Sequence, residues 1–150
     1  MQFRYSIFGE SHGPAIGVVL ENLPSGIPVE MDFIGREMAR RQAKKGGLST
    51  TRIEADRPEI LSGVFNGYTT GTPLCAVIQN GNTHASDYDA IKTLARPSHA
   101  DYTGRVRYGG FNDYRGGGHF SGLLTAPMVF AGVIMKLWLR GQGIEIGSHI

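Results

Sequence analysis

The stretch FRYSIFGESHGPAIGVVLENLP, residues 3–24, contains two segments rich in β-branched and aromatic residues, each ended by glycine or proline. This composition predicts two β-strands joined by a short loop. The loop has the sequence GESHG, residues 9–13, and a ligand can approach its histidine closely. His12 is therefore a candidate proton donor or anion contact. A loop histidine that makes only a local hydrogen bond is the alternative interpretation.

The next segments carry helix and strand signals in turn. Residues 31–45, MDFIGREMARRQAKK, predict a helix with Asp32 as its N-cap and a basic last turn that suits the helix dipole. Residues 58–79, PEILSGVFNGYTTGTPLCAVIQ, predict two strands that meet at a turn formed by Asn66 and Gly67.

Three more elements are predicted in the second half of the chain. Residues 86–94, SDYDAIKTL, predict a short helix capped by Ser86. Residues 123–140, LLTAPMVFAGVIMKLWLR, predict a helix that is covered on several sides. The last residues, GIEIGSHI at 143–150, predict a strand that breaks off, as if the chain stopped inside a sheet. The pattern is mixed α/β.

Composition narrows the class of protein. The 150 residues are the size of one domain, and 41% of them are apolar and 19% charged, which is typical of globular proteins. A net charge of +2 does not indicate a surface that binds nucleic acid. The one cysteine, Cys75, lies in an apolar run, which predicts a buried thiol and fits the cytoplasm. No secretory signal is predicted, because the first residues do not contain a basic lead followed by a long apolar run. No membrane span is predicted, because the longest apolar stretch is interrupted and short.

Two basic, glycine-containing segments are candidate anion sites. The first runs from the predicted helix into a loop and contains Arg40, Arg41, Lys44, Lys45 and Arg52; a solvated helix end is the alternative interpretation.

The second segment is RPSHADYTGRVRYGGFNDYRGGGHFSG, residues 96–122, in which four arginines and two histidines stand among glycines. Guanidinium groups bind planar or phosphoryl anions, and glycines allow backbone N–H groups to approach a ligand. This second segment matches neither a nucleotide phosphate loop nor a dinucleotide fingerprint. The histidines show no paired ligand spacing, so no metal site is predicted.

Taken together, these motifs resemble the chorismate synthase family. The resemblance rests on FGESHG with GVVLENLPSGIP, on ARRQAKKGGLSTTRIEADRPEILSGVFNGYTTGTPL, and on DYDAIKTLARPSHADYTGRVRYGGFNDYRGGGHFSG. It is nearly continuous from about Ile7 to Ala131. It implies an α/β fold, a β-α-β sandwich that is incomplete at the C-terminus, with residues 1–150 as the single, N-terminal part of a longer enzyme.

The resemblance also implies a function. Enzymes of this family are lyases that convert 5-enolpyruvylshikimate 3-phosphate to chorismate by 1,4-anti elimination of phosphate, in the shikimate pathway of aromatic amino acid biosynthesis. They require reduced FMN without net redox change, and they are cytoplasmic homotetramers. No nucleic-acid or membrane partner is implied.

Roles for individual residues follow from the same resemblance. His12 is expected to protonate the departing phosphate, and His99 to lie beside the flavin. The expected substrate-binding residues are Arg40, Arg41, Lys45, Arg52 and Arg115. Gly117, Gly118, Ser121 and Thr125 are expected to join His99 in shaping the cofactor site.

The chain departs from the family pattern at several positions. Leu123 stands where an anion-binding arginine is expected, which removes a contact worth about 1.5–3 kcal/mol. Gln42 replaces a proline after the arginine pair, and Lys44 or Lys45 is a candidate to replace a lost arginine contact, without bidentate geometry.

Two rival functions remain at this point. One is an anion-binding module that keeps the fold without the chemistry, which Leu123 and the short chain permit. The other is an RNA-binding domain, for which only Tyr108, Phe111 and Tyr114 could supply aromatic platforms among the arginines.

Overall fold

Six strands and three α-helices form the part of the protein that the computed structural model describes, residues 2–42, 56–81 and 94–148. The strands are β1 (Arg4–Gly9), β2 (Ala15–Glu21), β3 (Pro58–Ser62), β4 (Val64–Phe65), β5 (Tyr68–Thr69) and β6 (Leu74–Gln79). The helices are α1 (Met31–Arg41), α2 (Asp101–Arg107) and α3 (Thr125–Arg140), with 3₁₀ turns at Arg115–Phe120 and Gly122–Leu124. The predicted α/β class is confirmed.

Four strands pair antiparallel in the order β1-β2-β6-β3. Side chains alternate between the two faces of a strand, and on one face Ile16, Val18 and Leu20 of β2 are completely buried. β6 contributes Leu74, Ala76 and Ile78 to the same face, in register with those three residues. This face is the floor of the hydrophobic core.

Helix α3 covers this face of the sheet and α1 packs against α3. Phe130, Ile134 and Leu137 of α3 are buried at spacings of three and four residues, and Ile34 and Met38 of α1 follow the same rule. The four-stranded sheet and this helical layer are two of the layers of the expected sandwich.

One described segment, Arg115–Arg140, is apolar and long enough to cross a membrane by length and composition alone. Its continuous α-helix is shorter, because the first three glycines of the segment have positive φ angles and only Thr125–Arg140 is α-helical. Seven residues of that helix are buried against the protein. We therefore interpret α3 as the core helix that the sequence predicts.

The predicted N-cap of the first helix is wrong. The helix begins at Met31 with Glu30 as the N-cap residue, and Glu30 makes no capping hydrogen bond through its side chain. Asp32 lies inside the first turn, where its charge favours the helix dipole instead of capping it. The helix ends at Arg41, and the expected continuation to Lys45 lies outside the described residues.

The Asn66–Gly67 turn is confirmed. Both residues have positive φ, and Phe65 pairs with Tyr68 across them. The two long predicted strands are each interrupted, however, so that β3 and β6 belong to the four-stranded sheet while β4 and β5 form a separate two-stranded one.

The predicted strand at the end of the chain is wrong for the residues that are described. Residues 144–148 form no strand, and Ile144 and Ile146 are 50% and 57% exposed. A strand exists only with a hydrogen-bonding neighbour, and none of the described strands pairs with this segment. The helix predicted at 86–94 falls almost entirely outside the described residues. Cys75, predicted to be buried, is partly exposed on β6.

Candidate active site

The GESHG loop between β1 and β2 is held from two sides. On one side, the Asn80 amide nitrogen at the end of β6 donates to the carbonyl oxygens of Glu10 (3.0 Å) and Gly13 (2.7 Å). On the other side, the Ser11 backbone N–H donates to the Gly118 carbonyl at 3.1 Å. The loop is fixed to the sheet and to the glycine run, although more than 100 residues separate it from that run.

Ser11 is almost completely buried and orients His12. Its hydroxyl lies 3.1 Å from the carbonyl oxygen of Arg115 and 3.2 Å from that of Gly116, and 3.1 Å from Nδ1 of His12. If the single hydroxyl hydrogen is donated to a carbonyl, the Ser11 oxygen can accept a hydrogen bond from Nδ1 of His12 when that nitrogen carries a hydrogen. In that arrangement, Nε2 is the other nitrogen through which the ring could exchange a proton.

The glycine run, Gly116–Gly118, has no room for side chains where it meets this loop. A Cβ atom on Gly116, whose φ is +56°, would lie 2.3 Å from Cε1 of His12. A Cβ atom on Gly118, whose φ is +54°, would lie 2.0 Å from the Asp113 carbonyl oxygen. Glycine is required at both positions because the backbone itself packs against the imidazole and turns tightly beside it.

Arg115 precedes the glycine run and is bound by an acidic partner. Its Nε and Nη2 atoms donate to the two carboxylate oxygens of Asp113, at 2.8 and 2.7 Å. Hydrogen bonds from Arg115 hold the pKa of Asp113 below its ordinary value, against the opposing effect of burial, and the charge of His12 adds a smaller lowering. Asp113 is therefore held in its ionised form, paired with Arg115 and close enough to His12 for their charges to interact.

Arg41, the last residue of α1, reaches the other end of the same segment. Its Nε donates to the Thr125 hydroxyl at 3.1 Å, and its Nη2 lies 3.4 Å from the Leu123 carbonyl oxygen. Its Nη1 donates to the buried carboxylate of Asp56. The Leu123 side chain packs against the hydrophobic core, so it does not replace the missing arginine with another polar group.

The loop that carries His99 is closed by an ion pair. Asp101 accepts hydrogen bonds from the backbone N–H and Nε of Arg96 at 3.0 and 2.8 Å, and from its Nη2 at 2.9 Å. Arg96, mainly through its side-chain hydrogen bonds, lowers the pKa of Asp101 to about 2. His99 is exposed on this loop, and its backbone N–H donates a hydrogen bond to the Arg96 carbonyl oxygen.

Helix α2 follows this loop and rests on the segment after the glycine run. A Cβ atom on Gly104 would lie 2.7 Å from the Phe120 ring, and the rings of Tyr108 and Phe120 are 6.1 Å apart. Beside them, His119 lies with Nδ1 2.9 Å from the Gly9 carbonyl oxygen.

Residues 115–125 thus contact His12, Arg41 and α2, the helix that follows the loop of His99. His12 meets this segment at Gly116, α2 meets it at Phe120, and Arg41 meets it at Leu123 and Thr125. The segment also contains Gly117, Gly118 and Ser121, and the Ser121 hydroxyl accepts a hydrogen bond from the Leu123 N–H.

Of the remaining predicted substrate-binding residues, the structure describes only Arg40, which it does not bring to this segment. The side chain of Arg40 is 59% exposed and pairs with Glu37 at 3.1 Å on the surface of α1. Lys45 and Arg52 lie outside the described residues. Their roles stay predictions.

Four residues that support the site were not predicted from the sequence. Ser11, Asp56 and Asp113 each contact a predicted site residue, and Asp101 pairs with Arg96 on the loop of His99. For three of them a signal existed, because Ser11 adjoins His12 and two aspartates lie within five residues of an arginine. Asp56 is 15 residues from Arg41, and no local pattern links the two.

Comparison of the sequence with known proteins shows which family the chain belongs to. The model of the chorismate synthase family matches residues 3–150. The chain belongs to the chorismate synthase family. It is 47% identical over 146 residues to the chorismate synthase of Thermococcus kodakarensis, and 48% identical over 148 residues to that of Chitinophaga pinensis. These alignments cover 97% and 99% of this chain but 41% and 44% of the relatives.

A solved structure confirms the fold. A crystal structure of chorismate synthase matches with a TM-score of 0.68 and 29% identity, covering 98% of this chain and 37% of that one. The chain therefore has the chorismate synthase fold over its own length, and it spans about two fifths of the length of the curated relatives it matches.

The contact between Gly116 and His12 predicts different effects for two neighbouring substitutions. Gly116→Ala and Gly117→Ala both place a side chain at positive φ, which costs about 1–3 kcal/mol in either variant. Only Gly116→Ala also collides with the imidazole, since the nearest atom to a Cβ on Gly117 is 3.9 Å away. Crystal structures of the two variants should show a displaced His12 ring in the first alone. An unmoved ring in Gly116→Ala would show that the Gly116 backbone does not fix the position of the His12 ring.

The Arg96–Asp101 pair predicts an acid-dependent contribution to stability. Because the pKa of Asp101 is lowered from 3.8 to about 2, its ionised form stabilises the fold above pH 4 and the contribution is lost as pH falls through 2. Asp101→Asn should lower the melting temperature by a constant amount from pH 7 to pH 5, and the gap should narrow below pH 4. Arg96→Gln should reproduce this profile; a gap that already closes between pH 7 and pH 5 would refute the assignment.

Proposed function

We propose that the complete protein converts 5-enolpyruvylshikimate 3-phosphate to chorismate by 1,4-anti elimination of phosphate, in aromatic amino acid biosynthesis. One observation carries the proposal: residues 115–125 contact His12, Arg41 and α2 together. The proposed proton donor, a proposed anion-binding guanidinium and the helix that follows the His99 loop thus contact one segment. The chorismate synthase name of the relatives supports the same reaction.

His12 is proposed to donate a proton from Nε2 to the departing phosphate. A hydrogen bond from Nδ1–H to the Ser11 oxygen would hold the proton on Nδ1, so that the imidazolium form would release its other proton from Nε2. General acid catalysis of this kind contributes about 10²–10⁴ in rate.

The arginines are proposed to hold the substrate, which carries a phosphate and two carboxylates. Arg41 and Arg115 are each oriented by a carboxylate, so little conformational entropy is lost when an anion binds. Arg40, Lys45 and Arg52 are proposed as further contacts. Leu123 removes one cation from this set, and the substrate is therefore bound with fewer direct charge pairs.

Reduced FMN is proposed as the cofactor, and the described residues suit such a group. His99 is exposed, the rings of Tyr108 and Phe120 are nearly half exposed, and a Cβ on Gly117 would meet only Ser121. Together they offer apolar surface and a hydrogen-bonding imidazole to a planar ring. His99 would hold it, with Gly117, Gly118, Ser121 and Thr125 nearby. When bound, reduced flavin supplies electron density to the substrate transiently.

The remaining features of the proposal concern the whole protein. Residues 1–150 are proposed as the N-terminal part of one domain whose other residues complete the flavin and substrate sites. A homotetramer in the cytoplasm is proposed, with the phosphorylated substrate as the small-molecule partner.

The proposal predicts that chorismate and phosphate are released in equal amounts. The assay combines the polypeptide, extended to the length of its relatives, with 5-enolpyruvylshikimate 3-phosphate and chemically reduced FMN under anaerobic conditions.

In this assay, the substitution His12→Ala should lower kcat about 10²–10⁴-fold, because it removes the proposed general acid. His119→Ala is the matched control, because that imidazole contacts the Gly9 carbonyl on the same loop and has no proposed role in proton transfer. The 150-residue chain should be inactive alone.

Binding of the substrate without turnover by the extended polypeptide would instead favour an anion-binding module. A His12→Ala variant as active as the wild type would refute the proposed proton donor even if chorismate is formed.

A further inference from the structure

Asp56 is a buried carboxylate in an unusual backbone conformation. It is 4% exposed, and its φ of +41° lies in the left-handed region that non-glycine residues avoid. It immediately precedes Arg57 and β3, at the edge of the described part of the chain. One carboxylate oxygen, Oδ2, accepts a hydrogen bond from Nη1 of Arg41, and the other, Oδ1, is buried with no partner among the described residues.

These features cost stability. A carboxylate removed from water is tolerated only with a charged partner, and a buried oxygen without a hydrogen bond adds a desolvation penalty. A buried ion pair is also weak evidence for a stabilising role, because apolar residues of similar size often serve as well. A strained residue that contributes little to stability is more readily explained by a requirement of the site.

Arg41 is the group that Asp56 controls. Three of the five guanidinium N–H groups of Arg41 have acceptors among the described residues: Asp56, the Thr125 hydroxyl and the Leu123 carbonyl. Asp56 is the only charged one of these acceptors. The other two N–H groups have no acceptor in the described ranges, and 19% of the side chain is exposed.

The contacts of Arg41 also join three elements. Arg41 ends α1, Asp56 leads into β3, and Thr125 begins α3, with Leu123 in the 3₁₀ turn before it. A guanidinium is planar and rigid, so fixing its Nε and Nη1 atoms fixes the direction of its remaining N–H groups. Without Asp56, the neutral contacts to Thr125 and Leu123 alone would hold a long, flexible side chain.

We propose that Asp56 is a positioning residue that fixes Arg41 so that its two remaining N–H groups bind one anionic group of the substrate. This inference rests on the proposed function, because it takes Arg41 as a substrate contact. It adds a residue that touches neither substrate nor cofactor and acts only through Arg41.

A double-mutant cycle in the complete enzyme tests the proposal. Asp56→Asn keeps the size of the side chain and removes its charge. We expect the substrate KM to rise about tenfold or more, with the dissociation constant of FMN changed by less than twofold. In an Arg41→Ala background, Asp56→Asn should leave KM unchanged, because the residue through which it acts is gone.

Arg140→Gln is the matched control. It breaks the 3.4 Å ion pair between Arg140 of α3 and Glu30 at the start of α1, which contacts no proposed site residue. It should leave KM unchanged. A KM that rises as much in the Arg41→Ala background as in the wild type, or a melting temperature that falls while KM stays constant, would overturn the proposal.

A crystal structure of the Asp56→Asn enzyme without ligands separates this proposal from the proposed function. The guanidinium of Arg41 should leave the Thr125 hydroxyl, whatever reaction the enzyme catalyses. An unmoved Arg41 would overturn the positioning role, whereas absence of chorismate from the wild-type enzyme would count against the proposed function alone.

Discussion

The site depends on one contact, the packing of the GESHG loop against the glycine run. Ser11 is joined to this run by its backbone N–H and by its hydroxyl, and His12 lies where any side chain on Gly116 would be. The glycines bring backbone carbonyls next to the loop and leave no space between run and imidazole. On its opposite side the loop is hydrogen-bonded to Asn80 at the end of β6, so the loop that carries His12 is attached to the central sheet.

The cations around this contact are fixed by acidic partners. Arg41 is paired with Asp56, Arg96 with Asp101 and Arg115 with Asp113. Each pair reduces the local net positive charge, but each orients a guanidinium. For the proposed substrate with several anionic groups, such fixed directions favour binding, since mobile side chains lose entropy when a ligand is bound.

The sequence predicted the parts of the structure that local patterns determine. The Asn66–Gly67 turn, the apolar helix α3 and the strands β1 and β2 follow from turn chemistry and hydrophobic periodicity. Asp32 was misassigned because a polar residue in the first turn and an N-cap residue look alike in sequence. The pairing of Asp56 with Arg41 could not be predicted, because it depends on how β3 and α1 meet. The family motifs identified His12, but its support by Ser11 and Gly116 is a property of the folded chain.

The most direct test is a crystal structure of the complete protein with oxidised FMN and 5-enolpyruvylshikimate 3-phosphate. The measurement is the distance from Nε2 of His12 to the nearest phosphate oxygen. We expect about 3 Å, within hydrogen-bond reach, with the ring still packed against Gly116. A phosphate bound elsewhere, with His12 in the same position against the glycine run, would contradict the proposal that the packing of His12 against Gly116 positions it as the proton donor.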